Sequence, residues 1–291
     1  MIKCLHQRNN KIKTNRRIDP TRTYVLRKTF EAQMFRRFTA LKGRINEAII
    51  EKNGFGFNAN DREFAFPRDS QKVAAFMEWL NQQAQIGVLG IRVGTPIERA
   101  AENAWTRIYI DSAYKRAIEQ AGQDLRKQGV QVAGTWTANA FFRPIHADAA
   151  GLAYTRAFRE LKGVTDEMDK QISRVLTQGI IDGMGSRAIA KQINDRVDSI
   201  GLTRARMLAR TEIVRAHSEA TLNAYEEAGA EGVIADVEFS TAGDNAVCPE
   251  CESLEGKEFT IDESRGIIPV HPNCRCAWKS IIYNPKGIRL N

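Results

Sequence analysis

Phe30, Met34, Phe38, Leu41, Ile45 and Ile49 recur at steps of four, four, three, four and four. That is the period of a single helix face. It predicts a helix over residues 22–52, with Arg36, Arg37, Lys42 and Arg44 largely off the apolar stripe. Asn53-Gly54-Phe55-Gly56-Phe57-Asn58 ends the helix and opens a loop. A second helix is expected over 69–86, with Val73, Phe76, Met77 and Leu80 on one side. A third starts near Pro96, where a first-turn proline is tolerated. It runs to about Lys127, past Ala100, Ala104, Ile108 and Ile118. Residues 129–140 are β-rich and broken by glycine, and read equally as a loop or a hairpin.

From Arg143 the pattern is helical again. Thr165-Asp166-Glu167 has the composition of an N-cap and first turn, followed by Ile172, Val175, Leu176 and Ile180. Gly183-Met184-Gly185-Ser186 breaks the run, and Ser186 is expected to cap a helix carrying Ile189, Ile193 and Val197. A longer helix over 203–228 holds Arg210-Thr211-Glu212 and stops at Gly229. After Gly232 the period changes to two. A strand is expected over 233–240, with Val237 and Phe239 on one face and Glu238 on the other. Further strands are expected over 257–261 and over 276–283, through Trp278, Ile281 and Ile282. The expected fold is mainly α with a small α+β C-terminal domain: long helices, then a short antiparallel sheet that holds a Cys/His cluster. Along the chain this gives a basic arm (1–20), a helical partner-facing region (21–164) and a C-terminal domain (165–291).

At 43% hydrophobic and 27% charged, the composition is that of an ordinary soluble globular protein. No apolar run reaches the roughly 18 residues that a membrane span needs. The start of the chain is basic but leads into polar residues, so no signal-peptide core is expected and folding is placed in a cytoplasm. The charge is uneven. Residues 1–44 hold 13 Lys and Arg against Asp19 and Glu31, a net of +11; the remainder holds 30 against 33 acids, a net of −3. Such an arm suits nucleic acid or an acidic protein surface, and a solvated tail is the plain alternative. Arg16, Arg17, Arg36 and Arg37 are the expected phosphate or acidic-surface contacts.

Four of the five cysteines and one of the four histidines lie in Cys248-Pro-Glu-Cys251 and His271-Pro-Asn-Cys274-Arg-Cys276. A Cys-x-x-Cys turn points two sulfurs at one centre, and Cys274 and Cys276 share a side if their backbone is extended. Five donors thus compete for four tetrahedral positions. Cys248, Cys251, His271 and Cys274 are the expected metal ligands, with Cys276 as the main alternative to His271, and zinc as the expected structural cofactor. Disulfides formed outside the cell, or a metal-free cluster of buried thiols, are the other readings. Glu250 and Glu252 bracket Cys251 as paired glutamates do in some transferases, and a charged loop explains them as well. Arg210-Thr211-Glu212 is read as a packing ion pair, and His6, His146 and His217 show no partner at close spacing. No phosphate loop, GxSxG elbow or HExxH occurs.

Taken together, Ala209-Arg210-Thr211-Glu212, the strand at 237–241, Asp244, Cys248-Pro-Glu-Cys251, Leu254-Glu-Gly256-Lys257 and His271-Pro-Asn-Cys274-Arg-Cys276 form a recognisable series. It resembles the phage Mu F-like minor head proteins, also called phage head morphogenesis proteins, over roughly residues 165–283. Asp244-Asn245-Ala246 stands where that family usually has Asp-x-Arg. The resemblance implies a minor structural protein of a tailed-phage head, without catalytic residues. It implies the portal protein, other head proteins and packaged double-stranded DNA as partners, the DNA bound without sequence preference, and no membrane or small-molecule substrate. It places the protein in the virion, at the head interior or portal vertex, after assembly in the host cytoplasm. A phage-associated metal-dependent nuclease or toxin-like enzyme is the rival reading.

Overall fold

A computed structural model describes residues 19–57, 69–132, 136–230, 235–283 and 289. Arg16 and Arg17 therefore lie outside the described residues. By packing, the chain divides into two units. One holds residues 29–107 and 155–209; the other holds residues 108–154 and 210–291 together with the first 28 residues, of which 19–28 are described.

The first unit is helical. Helix α1 (Tyr24–Asn46) runs into a π-helical turn (Glu47–Glu51), and the apolar stripe read from sequence is its buried face: Phe30, Met34, Phe38, Leu41, Ile45 and Ile49 are all fully inside. Helix α2 (Asp69–Gln83), with its own π turn (Ala84–Leu89), buries Phe76 and Leu80, while Val73 and Met77 are only half-buried. Phe55, Phe57, Phe76 and Trp79 form an aromatic cluster with ring centroids 5.2–6.0 Å apart.

The single helix expected over 96–127 is two helices, α3 (Ile97–Asn103) and α4 (Arg107–Lys127). Ala104 is extended at ψ 139°, which ends α3. Trp105 then donates its indole N–H to the Val88 carbonyl at 2.9 Å and meets Phe30 edge-on at 5.5 Å. The break shifts the helical phase, so Ile108, expected inside, is 62% exposed.

Thr165 starts no helix. Helix α6 (Pro144–Ile181) runs straight through it, and its hydroxyl donates to the Lys162 carbonyl at 2.8 Å. The reason is the continuous apolar face Ala157, Leu161, Val164, Met168, Ile172 and Leu176, whose burial outweighs a local capping preference. The break at 183–185 does occur. Gly185 is the N-cap of α7 (Ser186–Arg196), and Ser186 is its first helical residue, not its cap. A π turn (Val197–Leu202) leads into α8 (Thr203–Ala230). There, a Cβ on Gly201 would come 2.5 Å from Phe38 Cδ1, so only glycine lets that turn pack on α1.

The second unit packs parts of α4 and α8 against the sheet. The region 129–140 contains no strand among the described residues, and ends in the short helix α5 (Trp136–Ala140). Strands β1 (Ala235–Ser240), β2 (Glu258–Phe259) and β3 (Ala277–Ile282) are antiparallel in the order β2-β1-β3. Val237 and Phe239 face the core, and Trp278 stacks edge-on with Phe239 at 5.6 Å and with Phe259 at 5.7 Å. Two short helices, α9 (Pro249–Glu252) and α10 (Ile261–Ser264), punctuate the loops. One core joins Tyr114, Ile118 and Leu125 of α4, Val214 and Tyr225 of α8, the sheet, and Cys248, Cys251, Cys274 and Cys276. No described helix is long and apolar enough to cross a membrane.

Candidate metal centre

Two tight turns deliver the donors. In the first, Cys248 is extended and caps α9: its Sγ accepts the Cys251 backbone N–H at 3.4 Å, and Pro249 occupies the first helical position. In the second, the Cys274 N–H donates to the His271 carbonyl at 3.1 Å, and Asn273 has φ +66°. Proline second and a left-handed Asn third are the marks of a type II turn, which is why His-Pro-Asn-Cys folds this way. The Asn273 N–H donates to Thr211 Oγ1 of α8 at 3.2 Å. The Arg-Thr-Glu signature thus supports the second turn. Glu212 is buried and pairs with Arg215 at 3.4 Å.

The turns converge. His271 Nε2 lies 3.2 Å from both Cys248 Sγ and Cys251 Sγ, and Cys251 Sγ lies 4.0 Å from Cys274 Sγ. Bond lengths of about 2.3 Å to sulfur and 2.0–2.1 Å to nitrogen separate tetrahedral zinc ligands by about 3.5–3.8 Å, inside this spread. At 4.0 Å the two sulfurs are at about twice a disulfide's length, and Cys248, Cys251, Cys274 and Cys276 are all free thiols. Two overlapping donor groups result, Cys248–Cys251–His271 and Cys251–Cys274–Cys276. Within each, the ligand atoms lie within 4.8 Å of one another, so the arrangement can hold a metal ion. All four cysteines are buried and His271 is half-buried.

The histidine supplies a test of fit. Its Nδ1 lies 2.8 Å from the Pro272 carbonyl, an acceptor, which assigns the ring proton to Nδ1. Nε2 then turns a lone pair toward two sulfurs, as a metal ligand must, with Pro272 orienting the ring from behind. Burial opposes charge on His271, but the Pro272 carbonyl and the Cys248 sulfur outweigh it and raise its pKa. Cys274 is held well below the usual thiol range by hydrogen bonds from Cys251 and Cys276, whereas Cys251 is pushed up as the proton donor to Cys274.

Arg275, between the last two cysteines, grips Asp244 with both terminal nitrogens, at 2.6 and 2.5 Å. Asp244 also accepts the Ala246 N–H at 3.0 Å, so the fork ties the loop before Cys248 to the Cys-Arg-Cys segment. This pair spans 31 positions, and no local pattern announces it.

Elsewhere, Arg36 is exposed, while Arg37 donates to the Gly87 carbonyl at 2.8 Å and lies 4.3 Å over the Trp105 ring. Glu250 and Glu252 are exposed on α9. His146, without neighbours in sequence spacing, is fully buried between Tyr114 Oη at 3.1 Å and Glu227 Oε2 at 3.4 Å. Asn223 donates to the same Tyr114 oxygen at 2.8 Å and accepts from Arg265 at 2.9 Å. This buried network joins α4, α6 and α8 and has the character of packing.

Two turns and the Arg-Thr-Glu helix thus converge on one cluster. Residues 170–279 match the family model described as Phage Mu protein F like protein. The resemblance read from the motifs is therefore borne out over the Mu F-like region, which runs from α6 into β3 and contains every donor of the cluster. A curated relative is the NAD(+)--arginine ADP-ribosyltransferase EFV of Enterococcus faecalis, 25% identical over 146 residues. The match covers 46% of this chain but only 30% of that protein. No solved structure matches.

Proposed function

We propose that this protein is a structural, minor component of a tailed-phage head, and that its cysteine cluster binds one zinc ion to hold the C-terminal sheet and loops together. The Mu F-like region supports a role in phage head morphogenesis. The observation that carries the structural reading is the enclosure of the donors. Two turns, 20 positions apart at Cys251 and His271, meet with four buried sulfurs and one imidazole, enough to fill a tetrahedron from the protein alone. Catalytic zinc keeps a position open for water or substrate. When bound, zinc supplies a cross-link between two turns that are distant in sequence.

In this reading Cys248, Cys251, His271 and Cys274 hold the ion, with Cys276 as the substitute ligand. The portal vertex is the docking partner, and the protein resides in the virion after assembly in the host cytoplasm. The basic segment at residues 1–44, with Arg16, Arg17 and Arg36 as contacts, neutralises packaged DNA without reading sequence. Elemental analysis of purified protein should give one zinc per chain. Its affinity for unrelated duplexes should be uniform and fall steeply with salt. The portal protein of the same phage should co-elute with it.

The similarity to an ADP-ribosyltransferase and the rival nuclease reading are both met by activity assays. The expected result is neither NAD cleavage with transfer to arginine nor plasmid cleavage with added magnesium or zinc. Turnover abolished by Glu250→Gln, Glu252→Gln or His271→Ala would overturn the structural assignment.

A further inference from the structure

Strand β3 is an open edge of the sheet, since the order β2-β1-β3 gives it a strand on one side only. The direction of its backbone groups follows from β1. Phe239 donates its N–H to the Lys257 carbonyl and accepts the Gly256 N–H, both at 2.9 Å, so both of its polar groups turn toward the β2 side. Trp278 lies opposite Phe239 in the antiparallel register. The two are therefore a non-hydrogen-bonded pair, and the Trp278 N–H and C=O point away from β1. Neither group has a hydrogen-bond partner among the described residues. Two residues on, Gln128 of α4 closes the same edge: its Nε2 donates to Ser280 Oγ at 2.8 Å and reaches the Ser280 carbonyl at 3.5 Å.

A cleft of about 370 Å³ runs along this edge, walled by β3, by α4 and by the segment that starts at Asp19. Gln120 fixes that segment by donating to the Pro20 carbonyl at 3.0 Å, and Arg116 by donating to the Arg22 carbonyl at 2.9 Å. Gln120 and Gln128 each bury a side-chain oxygen that has no hydrogen-bond partner among the described residues. The rim is positive. Lys127 and Lys279 have 64% and 59% of their side chains exposed, and Arg22 is exposed as well. The acids are engaged: Asp19 is held by Arg27 at 2.8 Å, and Asp124 by Lys127 at 3.2 Å.

We infer that this cleft docks an extended, acidic segment of a partner protein, which adds to β3 as a further strand. The open groups set the class of partner. The Trp278 carbonyl and the two glutamine oxygens are acceptors. A polypeptide backbone supplies N–H donors for them, whereas a phosphodiester is itself an acceptor. The rim sets the charge. A second copy of β3 would bring Lys279 near its own counterpart, and like charges across paired strands oppose association. Residues 1–18 hold six Lys and Arg and no acid, so the same repulsion disfavours this chain's own arm.

The experiment titrates the full chain with three labelled, end-blocked octapeptides. One alternates Glu and Val. A second alternates Glu and Pro, which keeps the charge but removes half of the N–H donors and fixes φ away from the strand region. A third alternates Lys and Val. Fluorescence anisotropy gives the affinities, and hydrogen exchange read by mass spectrometry follows the amides of residues 277–280. The Glu-Val peptide is expected to bind, to slow exchange in β3 and to weaken with salt. The other two should bind at least about tenfold more weakly, and Arg22→Glu and Lys127→Glu should each weaken the Glu-Val peptide about fivefold. No binding by Glu-Val, equal binding by Glu-Pro or Lys-Val, or unchanged exchange in the bound state would overturn the assignment. A duplex that binds wild type and is lost in Arg22→Glu, while no peptide binds, would give the rim to phosphate instead. A concentration-dependent dimer that protects the β3 amides would give the edge to a second copy. The three peptides are compared on wild type, so the outcome stands even if a variant does not fold.

Discussion

Arg275 holds Asp244 through both terminal nitrogens, at 2.5 and 2.6 Å, with only 24% and 13% of the two side chains exposed. The fork is planar and bidentate, a geometry that a lysine ammonium does not reproduce. Arg275→Lys is therefore expected to cost about 1–2 kcal/mol, and Asp244→Ala about 2–3 kcal/mol by leaving a charged group without its acceptor. Urea unfolding followed by tryptophan fluorescence checks this, since Trp278 sits two residues from Cys276. Equal midpoints for wild type and Arg275→Lys would show the fork to be inconsequential.

Gly201 and Phe38 make a second close approach, 2.5 Å from a Cβ to the ring. Gly201→Ala should destabilise the unit holding residues 29–107 and 155–209 by about 1–3 kcal/mol through overpacking. Adding Phe38→Leu should recover part of that loss, because the two sites touch and their effects do not add. Strict additivity in thermal denaturation would contradict the contact.

Asn273 at φ +66° is a left-handed residue that supports the turn between two ligands. Asn273→Gly should be neutral to within a few tenths of a kcal/mol, while Asn273→Val should cost about 1–2 kcal/mol and weaken metal binding. Chelator competition and unfolding midpoints on the same pair of variants test it, and a Val variant as stable as the Gly variant would refute it.

Metal removal should act locally. Chelation, or Cys248→Ser, is expected to open residues 235–283 to protease while α1, α2 and α7 stay resistant. Mass spectrometry of the fragments reads the result, and unchanged resistance of the C-terminal segment counts against a structural ion.

His217 gives the acid dependence a sign. It is fully buried on α8, and burial lowers its pKa from 6.5 to about 4; the Asp19 carboxylate opposes this, while Arg27, Arg116 and Arg22 add to it. The unfolded chain therefore binds the proton more readily. Its contribution to stability is complete above about pH 6.5 and is lost as pH falls toward 4, about 2 kcal/mol by pH 5. Asp169, raised by burial to about 6, works in the opposite direction, since its neutral form is favoured in the folded state as pH falls. His217→Leu should remove the His217 limb alone, so the gap between pH 7 and pH 5 midpoints narrows relative to wild type. An unchanged gap would exclude His217 as its source.

Much was legible along the chain. The α1 stripe, the glycine break before α7, the three strands and the two cysteine turns follow from periods, turn chemistry and spacing, which act over a few residues. The failures share a cause. Ala104 and Trp105 break the third helix because an indole finds a carbonyl 17 positions away, and Thr165 sits mid-helix because a long buried face overrides its capping preference. His146 finds Tyr114 and Glu227 only once distant helices pack.

The sequence by itself determined which donors exist, that they come in turn-forming pairs, and that a helical body precedes a small sheet. Only the tertiary structure decided that the pairs meet, that Arg275 fastens Asp244, and that residues 108–154 pack with 210–291 in one core. Local preferences are set by neighbours along the backbone. Convergence depends on burial and pairing between segments whose separation in sequence carries no signal of their distance in space.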